Sequence, residues 1–341
     1  MSKKASKTTF AGRFLKAAGV VLLGLILLAA AYLFLAPLTE RYQARPVEGS
    51  ESWMSRLDDS LRLNEISIPG THDCGTQYVQ LAYFSKCQAS DIATQLADGY
   101  RYLDIRLGAA EGKDGTQTLF FYHGFCRCRT GFLPWVAPLT LEDALKDCYA
   151  FLTQNPTETI LFNVKQEQGS DTALLQSLLD DVIQNDPGRW LLTDSLPTLG
   201  EARGKLVLLR RYDDAACLGV RAGLYLNWQD QGGRDDTGLH AAAETLSCGR
   251  LIVQDRYKYE AFEKWTAFLA GMAEGTGAAD EIRLHFLSTN GSPKFGHPYA
   301  YAETLNLFLE TEDLSSFPPS WIIVDFSDAE LAKTVYGLNF R

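Results

Sequence analysis

The sequence predicts an α/β chain, an irregular or incompletely closed (β/α)₈ TIM barrel preceded by one N-terminal transmembrane helix. Three observations predict it. About eight apolar runs with strand character alternate with segments of helical period, which is the mark of a parallel sheet covered on its faces. They occupy roughly 280 residues, a typical length for such a barrel. An uncharged run of 23 residues, Ala17 to Thr39, stands before all of them.

That run comes after Lys3, Lys4, Lys7, Arg13 and Lys16, with no acid among them. At ~1.5 Å rise per residue it spans a hydrocarbon core of ~30 Å. A secretory signal carries an apolar stretch of roughly 7 to 15 residues, so an uncleaved anchor fits better. The basic flank stays in the cytoplasm, and the chain beyond Thr39 lies outside. The divisions are a cytoplasmic tail over 1–16, an anchor over 17–39, a polar tether over 40–60 and a catalytic barrel over 61–341.

Within the barrel the expected strands and helices alternate in order. LNEISI leads into PGTHD; the helix-like SDIATQLADG precedes YRYLDIRL; TLFFYHG comes third. TLEDALKDCYAFLTQNP is an amphipathic helix before ETILFNVKQE, and DTALLQSLLDDVIQND is another before KLVLLRRY. RLIVQDRY, then EAFEKWTAFLAGMAEG with LHFLSTN, then YAETLNLFLETED with WIIVDF complete the set, and AELAKTVYGL closes it. No clean helix stands between Tyr212 and Arg250, so the barrel is expected to be irregular or open there. A doubly wound open sheet is the alternative.

A net charge of -10 and a pI near 5.1 argue against nucleic acid as the partner, because phosphate binding needs a basic face. Seven cysteines, Cys74, Cys87, Cys126, Cys128, Cys148, Cys217 and Cys248, fit an exported domain with disulfides, although the odd count leaves one over. Cys126 and Cys128 lack the C-x-x-C reach of a zinc site and have no second pair at matching spacing.

The chemistry is expected where the strands end. His72 and Asp73 end the first, Asp104 and Arg106 the second, His123 the third, Lys165 and Glu167 the fourth. Arg211 ends the fifth, Asp255 and Tyr257 the sixth, and Asp325 the eighth. In a parallel barrel these ends form one mouth. Two histidines with carboxylate neighbours can divide base and acid duties, and an arginine between them suits the charge of a phosphodiester in its transition state. The pattern points to phosphoryl transfer without a metal cage. His240, His285 and His297 have no such setting and are read as structural.

These residues carry a family resemblance. SIPGTHDCGT, RYLDIRL, FYHG, NPTETILFNVKQE, ARGKLVLLRRY, RLIVQDRYKY and WIIVDF, in that order from about Trp53 to Phe340, resemble the X-domain of phosphatidylinositol-specific phospholipase C, most closely the single-domain bacterial enzymes. The resemblance implies a distorted, incompletely closed TIM barrel. It implies His72 as general base on the inositol 2-hydroxyl with Asp325 orienting it, and His123 as general acid with Asp73 coupled to it. Arg106 matches the phosphate-contacting arginine. Lys165, Arg211, Asp255 and Tyr257 match inositol-binding positions, with Glu167 supporting Lys165 and Asp104 supporting Arg106. The products implied are diacylglycerol and inositol 1,2-cyclic phosphate.

No metal or cofactor is expected, with Ca²⁺ as used by the eukaryotic relatives the alternative. The expected partner is a membrane inositol lipid, free or glycosylated, acted on by a monomer at the outer face of the cell membrane. Two other functions compete. A glycerophosphodiester phosphodiesterase would need a Glu-x-Asp metal motif after its first histidine, which is missing here. A non-catalytic lipid or glycan binder would be expected to have lost a histidine or the arginine.

Overall fold

The computed structural model describes residues 10–35, 44–133, 135–212, 223–232, 242–246, 249–275, 277–291 and 296–341. Cys217, His240 and Cys248 fall outside them. A helix covers Phe10–Leu35, and its stretch Gly12–Ala31 is long and apolar enough to cross a membrane and is not buried by the protein.

Among the described residues thirteen strands come after it: β1 Ile68–Thr71, β2 Tyr78–Val79, β3 Tyr102–Glu111, β4 Gln117–His123, β5 Cys126–Arg129, β6 Ile160–Gln168 and β7 Trp190–Leu191, then β8 Leu206–Arg211, β9 Leu224–Tyr225, β10 Ala242–Leu246, β11 Gly249–Gln254, β12 Glu281–Phe286 and β13 Trp321–Val324. The parallel staves run β11-β12-β13-β1-β3-β6-β8, with β7 and β9 both on the outer edge of β8. Among the described residues no pairing joins β8 or β9 to β11. Instead β10 lies antiparallel on β11. The barrel is therefore not closed, and its opening falls in the interval where the sequence offers no helix.

Three expectations are corrected. TLFFYH is not a stave: β4 pairs antiparallel with the outer half of β3, Leu107–Glu111, and then with β5. The first stave is IPGT rather than LNEISI, whose Leu63–Glu65 forms a 3₁₀ turn. Pro69 is tolerated there because Ile68 and His72 donate to the β13 side, which points the Pro69 nitrogen towards β3 below the start of their pairing. The polar tether also ends earlier. Ser50–Arg56 forms a 3₁₀ helix whose Trp53 and Met54 are buried in the core.

Helices cover the sheet because their apolar positions repeat at helical spacing. In Leu141–Gln154, Leu141, Ala144, Leu145, Cys148, Phe151 and Leu152 are buried, and a Thr140–Asp143 capping box starts the helix. Asp171 caps Thr172–Asn185 by accepting from the Leu174 N–H, and Asp328 caps Ala329–Tyr336 by accepting from the Leu331 N–H. Gly70 in β1 has no room for a side chain, since a Cβ would lie 2.3 Å from Ile323 Cδ1 and 2.8 Å from Tyr102 Cβ. All five described cysteines are buried free thiols. The expected disulfides are not found among them, and Cys74, Cys128 and Cys148 serve as small apolar residues of the outer core.

The period of two along each stave builds the site. Leu103, Ile105, Ile160, Phe162, Val164, Leu206 and Leu208 pack outward under the helices. The alternate positions face inward: Tyr102, Leu161, Val207, Leu209, Leu251 and Val253 fill the lower interior. One to three inward steps further along, the same staves carry Asp104 and Arg106, Lys165 and Glu167, and Arg211, with Asp255 directly after β11. Apolar residues fill the base, and charge collects at the mouth.

Candidate active site

A cavity of about 260 Å³ opens at that mouth. Of the eleven site residues named from the sequence, nine line it: His72, Arg106, His123, Lys165, Glu167, Arg211, Asp255, Tyr257 and Asp325. Asp73 and Asp104 are buried directly behind it.

His72 comes directly after β1 and Asp325 directly after β13, and these strands are paired in register from Ile68–Trp321 to Thr71–Val324. That pairing places His72 Nδ1 2.7 Å from Asp325 Oδ1. Buried Gln88 locks the two strand ends, donating to the carbonyls of His72 and Val324 at 2.9 and 3.0 Å. On the other side of the ring, Arg106 Nη2 lies 2.8 Å from His72 Nε2. A guanidinium has only hydrogens to offer, so Nε2 accepts and Nδ1–H donates to Asp325. The tautomer is fixed, with the Nε2 lone pair facing the cavity. Burial, with Arg106, His123 and Lys165 nearby, holds the His72 pKa well below 6.5 and keeps the ring neutral.

Arg106 is held from behind. Its Nε donates to Asp104 Oδ2 at 2.9 Å and lies 3.2 Å from Asp73 Oδ1. Burial works against the Asp104 carboxylate, yet Arg106, Arg211 and Lys165 keep its pKa below the ordinary value. Asp73 stands at φ 45°, a left-handed turn that carries its carboxylate under both imidazoles. Its Oδ2 is 3.3 Å from His72 Nε2 and 3.6 Å from His123 Nε2. Burial raises its pKa to about 6, against the pull of Arg106 and His123.

His123 ends β4 and donates from Nδ1 to the carbonyl of Ser85 at 2.8 Å, which turns Nε2 towards Asp73 and His72. The two imidazoles are 6.1 Å apart between ring centres and nearly perpendicular. Glu167 fixes this corner, since it takes Lys165 Nζ at 2.6 Å and the backbone N–H of Gly124 at 2.7 Å. Lys165 and Arg106 hold its pKa down to about 2 despite burial.

The far wall is held by a different arrangement. Arg211 reaches Asp255 Oδ2 at 3.1 Å and lies over the Trp228 ring at 3.5 Å, while Trp228 Nε1 donates to the same oxygen at 3.0 Å. The Tyr257 hydroxyl donates to Asp230 Oδ1 at 2.7 Å.

Cys87, Gln88, Trp228 and Asp230 were not found from the sequence. Cys87 lines the cavity 3.7 Å from His123 Nδ1, and burial with Asp325 beside it pushes its thiol pKa well up. None of these residues ends a stave, so the signal that finds the others does not reach them. His285 and His297 stay outside the cavity as expected. Burial pushes the former's pKa down to about 3, and the latter bonds the Tyr83 carbonyl at 2.7 Å.

The arrangement supplies an oriented neutral base, a second imidazole across the cavity and a fixed guanidinium between them. Residues 63–212 match the family model "Phosphatidylinositol-specific phospholipase C, X domain". The chain is 29% identical over 299 residues to the 1-phosphatidylinositol phosphodiesterase of Staphylococcus aureus strain Newman, covering 81% of this chain and 88% of that one. The Listeria monocytogenes protein of the same name is 32% identical over 179 residues, which are 48% of this chain and 51% of that one. A solved variant of the Staphylococcus aureus phosphatidylinositol-specific phospholipase C superposes with a TM-score of 0.66 at 26% identity, over 84% of this chain and 96% of that one. The Listeria monocytogenes structure has the same fold, with a TM-score of 0.63 over 85% of this chain and 98% of that one.

Proposed function

We propose that this chain, whose residues 63–212 match the X-domain model of phosphatidylinositol-specific phospholipase C, cleaves phosphatidylinositol to diacylglycerol and inositol 1,2-cyclic phosphate. The observation that carries this reading is the His72–Arg106 contact with His123 across the cavity. In the reaction, His72 Nε2 takes the proton of the inositol 2-hydroxyl as its oxygen bonds to phosphorus. The bond from phosphorus to the diacylglycerol oxygen breaks, and His123 Nε2 gives that oxygen a proton. Asp325 keeps the proton of His72 on Nδ1 and stabilises the imidazolium.

Arg106 plays a double part. It donates to His72 Nε2; with a phosphodiester between the imidazoles its planar fork turns to the non-bridging oxygens and releases the Nε2 lone pair for the hydroxyl. Its charge sits among Asp73, Asp104 and Glu167, where a divalent cation would have to displace it. We therefore assign the charge stabilisation to arginine, without calcium. Lys165, Arg211, Asp255 and Tyr257 are assigned to the inositol ring.

We also assign the helix of Phe10–Leu35 to an uncleaved membrane anchor, with the barrel outside the cell as a monomer. Supporting this are the five basic residues before Ala17 and the uncharged run after it. Protease added to intact cells removes the barrel if the topology is right, and a protected barrel overturns it.

The deciding experiment is phosphorus NMR of products from phosphatidylinositol, a glycosylated inositol lipid and lysophosphatidylinositol. A cyclic phosphate formed from at least one of them is expected. Failure with all three rejects the assignment.

A further inference from the structure

We propose that the hairpin tip formed by residues 130–133 and 135–137 inserts into a phospholipid bilayer and seats the mouth of the barrel on it. The proposal rests on the reading that the substrate is a membrane phospholipid.

The tip presents large apolar side chains to solvent. Phe132 is 64% exposed, Leu133 44% and Trp135 75%. Isolated exposed hydrophobics are ordinary, whereas three within four positions form a patch that needs a partner. The tip is also built rather than loose. Arg129 bridges Pro138, Thr130 N–H donates to the Ala137 carbonyl at 3.0 Å, and Val136 N–H to the Leu133 carbonyl at 3.0 Å.

Strand direction settles which side it faces. The staves, β3 among them, run towards the mouth. Because β4 is antiparallel to β3 and β5 is antiparallel to β4, β5 runs the same way as the staves. The chain leaving β5 at Arg129 therefore carries the tip outward on the side of the cavity. The turn that joins the tip's hairpin to the acid, Gly124–Phe125, is tied to β6 by Glu167 and Gln168, so the tip and His123 are fixed to one frame.

The chemistry fits a lipid surface. Tryptophan and phenylalanine combine an apolar body with tolerance of the headgroup boundary. Segment 124–138 contains Arg127 and Arg129 and no acid, in a chain with net charge -10, so the tip meets lipid phosphates without like-charge repulsion.

The test uses the full chain in phosphatidylcholine vesicles without inositol lipid, their acyl chains brominated to quench nearby tryptophan. Of the six tryptophans, Trp53, Trp190, Trp228 and Trp321 are buried, Trp265 is half-buried, and the N-terminal helix contains none. Bromination should therefore quench mainly Trp135, and Trp135→Phe should lose most of the quenching. No quenching, or equal quenching in Trp135→Phe, overturns the proposal. So does a dimer in sedimentation that Trp135→Ser dissolves, which would make the tip a contact between copies.

A second arm measures rates. Phe132→Ser with Leu133→Ser should lower cleavage of phosphatidylinositol in vesicles roughly tenfold by removing apolar contact, while cleavage of a monomeric short-chain analogue stays unchanged. Equal loss on both substrates overturns it. Quenching without cleavage of any inositol lipid rejects the enzymatic assignment and leaves the docking surface standing.

Discussion

Arg106 donates from Nη2 to His72 Nε2 at 2.8 Å, so a guanidinium holds the lone pair that the proposed base would use. This contact and the burial of the ring both favour neutral imidazole. His72 should titrate below 6.5 when the five histidines are followed by NMR, and Arg106→Ala should move it upward. The base works deprotonated, so the rate falls as pH drops through that lowered value. The same linkage gives stability that is present above pH ~6.5 and lost as pH falls through the folded pKa. A His72 resonance titrating at or above 6.5 in the wild type would contradict the assignment.

Exchange of either imidazole for a methyl group separates their roles. His72→Ala and His123→Ala should each lose ~10²–10⁴ in rate on phosphatidylinositol. A substrate whose leaving group needs no proton should restore much of the activity of His123→Ala and little of His72→Ala. Equal restoration of both would refute the division into base and acid.

The guanidinium cannot be replaced by charge alone. Arg106 uses Nε on Asp104 and Nη2 on His72, a planar arrangement that an ammonium cannot copy. Arg106→Lys should lose ~10²–10³ in kcat, and excess chelator should leave the wild-type rate unchanged. Activity abolished by chelator and restored by calcium would shift the charge stabilisation from arginine to metal.

At the opposite end of the barrel, Arg101 and Glu158 are both fully buried and paired at 2.9 Å. Arg101→Met leaves a buried carboxylate without its counter-ion and should cost ~3–5 kcal/mol in denaturant unfolding. Arg101→Met with Glu158→Leu should recover most of that loss. A single variant as stable as the wild type would show that water reaches this pair.

Thiol titration of the unfolded chain without reductant should find at least five reactive groups, matching the five free cysteines among the described residues. Fewer than five would bring back the disulfides expected from the cysteine count.

The staves and most of the site were legible because parallel strands end at one mouth, so Arg106, Lys165 and Asp255 could be placed from their strands alone. TLFFYH misled because an apolar run buried in a hairpin resembles a stave. Its connection held the missing signal: only Gly112–Thr116 separate β3 from β4, and a parallel crossover needs a dozen residues or more. Cys87 and Asp230 had no such signal, since loops bring them to the cavity and loop paths obey no period. Trp53 looked like tether because the residues around it are polar, and its burial depends on long-range contacts, including an indole bond to the Gly99 carbonyl.

A barrel that does not close has two free edges, and each unpaired edge is a template on which another chain can add a strand. The strand β10 covers β11 along Ala242–Leu246, while on the other edge β7 and β9 cover Leu206–Val207 and Leu209–Arg210 of β8. The antiparallel strand thus protects solubility as well as completing the sheet. A deletion of 242–246 would uncover the backbone groups of β11 and favour edge-to-edge aggregation, even with every cavity-lining residue intact.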